Sequence, residues 1–205
     1  MEPGVIDLCK GALAVFETIG CVVEEALPDF SPERLWQTWL TLRGFIVAGI
    51  TGPIYAMPQL RSLMKPETIW EVENGLKLSA DAVYKASIDR SAWYLALSTL
   101  LDKYDYLLIP SAQAFPFDAG THWPKEIARK SMDTYHRWME VVIGPTLAGL
   151  PAISVPVGFN DAGLPMGMQL IGKAKADLSV LQFAYAYEQA SGWVQRHKPK
   201  LLNEG

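Results

Sequence analysis

The chain has 205 residues, 50% of them hydrophobic and 11% aromatic, with seven tryptophans, which is ample material for the core of one globular domain. Its formal charge of −4, from 18 Lys+Arg against 22 Asp+Glu, provides no concentrated basic face to neutralise phosphates and so excludes a nucleic-acid partner. Two cysteines, Cys9 and Cys21, are too few for a disulfide framework, Met1-Glu-Pro-Gly does not open a secretory signal, and no apolar run approaches the ~18 residues that span a bilayer; the chain reads as cytoplasmic, with no membrane partner.

Val5, Ile6, Cys9, Ala12, Leu13, Phe16 and Ile19 recur at helical spacing, between a proline suited to a first turn, Pro3, and a stop at Gly20. Cys21 to Ala26 has the β-branched character of a short strand. A helix-to-strand unit of this kind normally follows an earlier strand, and none precedes Met1, so the chain is expected to begin inside a fold. Ser31-Pro32-Glu33 caps a second helix through Trp36, Leu40 and Phe45, and the apolar run Gly44 to Pro53 reads as a buried helix end. Another helix starts near Pro66-Glu67, and from Ser79 a pattern through Val83, Ala86, Trp93, Leu97 and Leu101 predicts a helix of about six turns.

The period changes after Asp102. Tyr104 to Pro110 reads as a buried strand ending at proline, residues 111–123 as a loop long enough to have a function, and Pro124 as the start of a new helix. Ala152 to Phe159 and Met166 to Ile171 are strands joined by the turn Asn160 to Gly163. Asp177 caps a closing helix that stops at Gly192, and Arg196-His-Lys-Pro-Lys200 reads as a solvated basic tail. The expected organisation is a single domain over 1–205, helix-rich over 1–103 and a strand and helix layer over 104–205.

Several chemical patterns fail on inspection. Ser62-Leu-Met-Lys65 fits Ser-x-x-Lys, but Ser-Asp-Asn and Lys-Thr-Gly are absent. Gly167 to Ala174 approaches a phosphate loop, yet Ala174 has no hydroxyl for magnesium and Met-Gln-Leu-Ile reads as strand. His122, His136 and His197 lie far apart, with no His-x-x-x-His or cysteine pair, so no metal site is expected.

The segments Leu107-Leu-Ile-Pro-Ser111, Thr146-Leu-Ala-Gly-Leu-Pro-Ala-Ile-Ser-Val-Pro156 and Gly163-Leu-Pro-Met-Gly-Met-Gln-Leu-Ile-Gly172 carry the most specific signal in the chain. Together they resemble the amidase signature family, serine hydrolases of carboxamides that use a lysine and two serines beside a Gly/Ser-rich loop. The resemblance is dense over 104–188, moderate over 1–30 and weak over 31–103, and Thr146 stands where the family usually has Asn or Gln. It implies an α/β fold, part of a mixed sheet with flanking helices, truncated on its amino-terminal side.

A serine hydroxyl needs a positioned base and an oxyanion cradle to attack an amide. The chain has no Ser-Ser and no Gly-Gly dipeptide, so the resemblance implies that no catalytic residue is present, and a carboxyl-terminal fragment inactive alone is expected. Its implied partners are a complementing amino-terminal amidase segment, a second copy in a homo-oligomer, and the small carboxamide or ester substrate of the full enzyme, without a cofactor or metal. A non-catalytic ligand-binding module or a self-associating remnant are the alternatives. The substrate wall implied by the resemblance comprises Trp123, Tyr135, Trp138, Met139, Glu140 and Thr146, whose competing reading is ordinary packing. Glu140, flanked by Trp138-Met139 and Val141-Val142-Ile143, must be either exposed or paired.

Overall fold

One buried face on each of two helices covers the strands. Residues 1–198 are described in a computed structural model, in which the chain divides into two compact units, one made of 1–27 and 100 onward and the other of 28–99.

In the first unit, strands β1 (Leu107–Pro110), β4 (Ala152–Phe159) and β5 (Pro165–Ile171) form an antiparallel sheet in the order β1-β5-β4. Helix α1 (Val5–Thr18) offers Val5, Cys9, Ala12 and Phe16, one face of a 3.6-residue period, and α7 (Asp177–Ser191) offers Ala184 and Tyr187. They meet Val155 and Val157 of β4 and Met166, Met168 and Leu170 of β5, alternate residues that point to the same side of the sheet. Phe16 stacks on Tyr187 with centroids 4.6 Å apart, and Phe183 on Tyr106 at 4.1 Å.

The other side of the sheet is built around a missing side chain. Ser111 and Ser154 reach over β5 from opposite neighbours, and their hydroxyls meet at 2.7 Å. A Cβ on Gly167 would stand 2.7 Å from Ser154 Oγ and 3.2 Å from Ser111 Oγ, so only glycine fits beneath them. The Ser111 N–H donates to the Gly167 carbonyl at 2.9 Å, and Gln169 Nε2 donates to the Pro110 carbonyl at 3.2 Å. Two fixed positions of the Gly163 to Gly172 segment, a glycine and a glutamine, thus have a steric and a hydrogen-bonding reason.

The second unit contains α2 (Pro32–Tyr55), α3 (Pro58–Arg61), α4 (Pro66–Gly75) and the start of α5 (Ala80–Lys103). Ser31 Oγ accepts the Arg34 N–H at 3.3 Å, the cap expected of it. Helices α2 and α4 touch backbone to backbone at Gly44 and Gly75. The buried Glu71 carboxylate is paired with Arg43, which removes the cost of an isolated charge inside the helix pair.

Four local expectations are corrected. Cys21 to Ala26 forms no strand: Val22 and Leu27 are exposed, and none of the described residues pairs with this segment in a ladder, since β-branched residues alone do not supply a partner. Gly44 to Pro53 is no buried helix end: it lies within α2, with Phe45, Ile46 and Ile50 exposed and Pro53 inside the last turn. No helix begins at Pro124. A hairpin of β2 (Glu126–Ile127) and β3 (Lys130–Ser131) turns through Ala128 and Arg129 at φ 49° and 66°, and a 3-10 helix, Arg137–Val142, runs into the short α6 (Ile143–Ala148). Asp177 sits in the first turn of α7 rather than capping it, where its charge still favours the helix dipole. Of the basic tail, Pro199 and Lys200 lie outside the described residues.

A Cβ on Gly75 would press into the Gly44 carbonyl oxygen and lie 2.7 Å from Ala48 Cβ. Gly75→Ala therefore should lower stability by about 2 kcal/mol or more, the backbone clash outweighing the ~1 kcal/mol gained in helix propensity, as read from urea unfolding midpoints. Gly167→Ala should cost about 1 kcal/mol, and adding Ser154→Ala should recover most of it, since the second change removes the atom the new methyl strikes.

Burial pushes the Tyr187 hydroxyl up to about 12. An unfolded tyrosine ionises near ~10, so its contribution is intact below about pH 10 and is lost as the pH climbs towards ~12, by roughly 2 kcal/mol. Tyr187→Phe should abolish that part of the alkaline loss while costing about 1 kcal/mol at pH 8, because the phenol donates to the Pro156 carbonyl at 2.9 Å; urea midpoints at pH 8 and pH 11 check both signs.

Candidate functional site

The loop after β1 is held to its surroundings at three points. Glu2 N–H donates to the Gln113 carbonyl at 2.7 Å, Phe115 N–H donates to Glu2 Oε2 at 2.8 Å, and Val141 N–H donates to Gln113 Oε1 at 2.9 Å. The last bond fastens the loop to the 3-10 helix. Between this loop, the β2–β3 hairpin and the 3-10 helix lies a cavity of about 400 Å³, lined by Met1, Gln113, Ile127, Ala128, Lys130, Met132, Glu140 and Val141. Apolar walls with a few converging polar groups are the usual make-up of a small-molecule site.

Glu140 enters this cavity with its carboxylate 3.3 Å from the Arg137 guanidinium, and Arg137 lies 3.9 Å from Asp133. The carboxylate is thus both paired and one-quarter exposed, which meets the requirement that its apolar neighbours impose. A second cavity, of about 300 Å³, adjoins the first through Ile127 and Ala128 and includes Phe115, Pro116 and Phe117.

Of the six residues expected to form a wall, Glu140 lines the larger cavity. Trp138 packs its ring edge-on at 5.5 Å to Phe117, which lines the smaller cavity, and its buried Nε1–H has no hydrogen-bond partner among the described residues. Trp123 and Tyr135 meet edge to face at 6.2 Å, with Lys125 Nζ 3.2 Å above the Trp123 ring, a cation–π contact. Met139 follows on the 3-10 helix. Thr146 is itself exposed on the otherwise buried α6, its hydroxyl donating to the Val142 carbonyl at 3.2 Å. Gln113 and Lys130 are the site residues that sequence reasoning missed; the irregular loop and the two-residue strands that carry them have no period by which to find them.

The Ser62/Lys65 pattern has no common helix to stand on, since Ser62 ends α3 and donates to the Gln59 carbonyl while Lys65 precedes α4. Cys9 and Cys21 are free, and burial raises the thiol pKa of each. Among the described residues no three His, Cys, Asp or Glu side chains gather as metal ligands, and no helix is long and apolar enough to cross a membrane.

Solved proteins share this fold. A bacterial aryl acylamidase of the amidase signature enzymes matches 95% of the chain with TM-score 0.81 at 24% identity, and a 6-aminohexanoate cyclic dimer hydrolase matches 99% with TM-score 0.72 at 20%. At that identity the likeness concerns the fold. In sequence, a glutamyl-tRNA(Gln) amidotransferase subunit of Thermodesulfovibrio yellowstonii is 39% identical over 101 residues, 49% of this chain, and its counterpart in Dehalococcoides mccartyi is 36% identical over 124 residues, 59% of it. The first alignment takes up 19% of the amidotransferase polypeptide, and the chain spans 42% of the acylamidase.

These likenesses correct the extent of the resemblance. The structures cover 92% to 99% of the chain, so the fold of the family runs through 31–103 as well as the strand-rich part. The wider coverage corrects the expected resemblance restricted to a carboxyl-terminal portion, and with it the expected fold truncated on its amino-terminal side, fragment inactive alone and complementing amino-terminal segment as partner. The helices carry a weaker sequence signal for a physical reason: many of their positions are exposed and tolerate any helix-forming residue, whereas the hairpin's glycines and prolines are pinned by sterics. Residues 55–181, more than half of the chain, match the family described as Amidase, and the chain belongs to it.

Proposed function

We propose that the chain serves hydrolysis of carboxamide C–N bonds and that the cavity beside Glu140 is where a small carboxamide is held. The observation that carries this reading is the convergence of Gln113, Lys130 and Glu140 on one opening of about 400 Å³ with apolar walls from Ile127, Met132 and Val141. An amide is a planar group with a donor and an acceptor at opposite ends, and such a lining offers it both partners next to apolar surface for the rest of the molecule. Arg137 pairs with the Glu140 carboxylate and orients it to accept the ligand's N–H. Trp123, Tyr135, Trp138, Met139 and Thr146 are proposed as the surrounding wall, the aromatic pairs giving flat surface for a substituent. The names of the similar proteins, an aryl acylamidase and a cyclic dimer hydrolase among them, support a substrate of this class. A reducing, cytoplasmic setting suits the two free cysteines.

Benzamide, acetanilide and short aliphatic amides, titrated into the purified chain, should raise its melting temperature, and ligand at 100 times Kd should add about 2.7 kcal/mol of stability. Glu140→Ala should weaken binding roughly tenfold, about 1.4 kcal/mol, without changing the melting temperature of the free chain by more than a few degrees. Protection by none of the amides would overturn the reading.

A further inference from the structure

Gln113 has an orientation that hydrogen-bond chemistry decides. The residue is 8% exposed, and the atom facing Val141 N–H at 2.9 Å must be the oxygen, because a backbone N–H can only donate. The Nε2 amide group therefore points the other way. It has no partner among the described residues, and Gln113 lines the cavity. The Nε2 group is not one of the fully enclosed polar atoms left without a partner, so its two N–H donors open to the cavity and can donate to a group that enters it. The neighbouring residue of Val141 in the chain is Glu140, whose carboxylate oxygens only accept. One donor and one acceptor thus meet in the same opening, the pattern complementary to a group that carries a carbonyl oxygen and an N–H together.

Resting on the reading of the cavity given above, we propose that Gln113 is the residue that selects for the ligand carbonyl: its Nε2 donates to the carbonyl oxygen of the bound amide while Glu140 accepts from the amide nitrogen. The division of labour distinguishes ligands. A ketone keeps the carbonyl and loses the N–H, so it engages Gln113 and not Glu140; an amide engages both.

Benzamide and acetophenone are the probes, with binding measured on the full chain by titration. Gln113→Glu keeps an oxygen for Val141 N–H and replaces the donor by an acceptor, so it should weaken both ligands tenfold or more, whereas Glu140→Gln should weaken benzamide several-fold and leave acetophenone within twofold. In the unmodified chain, the side-chain NH2 signals of Gln113, assigned by through-bond correlation on that chain itself, should shift on adding either probe; this readout does not depend on the variant being stable. If the chain binds benzamide but the Gln113 signals stay fixed, or Gln113→Glu retains affinity for both probes, the role of Gln113 is overturned and the cavity reading stands. Failure of the unmodified chain to bind benzamide at all would remove both.

Discussion

Tyr187 joins three elements of the sheet-bearing unit. It is wholly buried, its ring stacks on Phe16 of α1, and its hydroxyl donates to the Pro156 carbonyl of β4. Helix, helix and strand are thereby fixed to one another through a single ring. A phenol suits this place because its body is apolar and its tip finds an acceptor, so burial satisfies both parts. Once α1 and α7 are set, β4 and β5 present Val155, Val157, Met166, Met168 and Leu170 to them, and the sheet's opposite side is left for the serine pair and Gln169.

Regular structure was legible where one constraint acted alone. The period of Val5, Cys9, Ala12 and Phe16 announces α1, Ser31 announces the start of α2, and Asn160 to Gly163 announces the hairpin, in which Asn160 Oδ1 accepts the N–H groups of Ala162 and Leu164 at 3.1 and 2.9 Å. Over residues 124–142 the apolar content suggests a helix, while the turn at Ala128 and Arg129 adopts positive φ with neither glycine nor asparagine to signal it. Cys21 to Ala26 shows the opposite limit: β-branched composition can be read locally, but a partner strand cannot.

The candidate site was legible only in part. Glu140 could be singled out because a carboxylate among apolar residues raises an immediate question of partners, and Arg137 answers it. Gln113 could not, since its meaning depends on Val141, 28 residues away, taking up its oxygen. Amide side chains are symmetrical in shape and opposite in chemistry at their two ends, so their role emerges only when the fold determines which end is engaged. The irregular backbone of this region follows from the same requirement: a loop, a two-residue hairpin and a 3-10 turn can bring three distant polar groups to one opening, which a continuous helix face would not.

The hydroxyl pair over Gly167 bears on how the sheet finds its alignment. If β5 slid by one residue against its neighbours, Met166 or Met168 would arrive beneath Ser111 and Ser154, where there is no room even for a methyl group. The same slip would turn the core side of the strand outward. Misaligned pairings are thus rejected on both sides of the strand at once, by crowding above and by lost burial below, and the glycine acts as a notch into which only one setting of the three strands can drop.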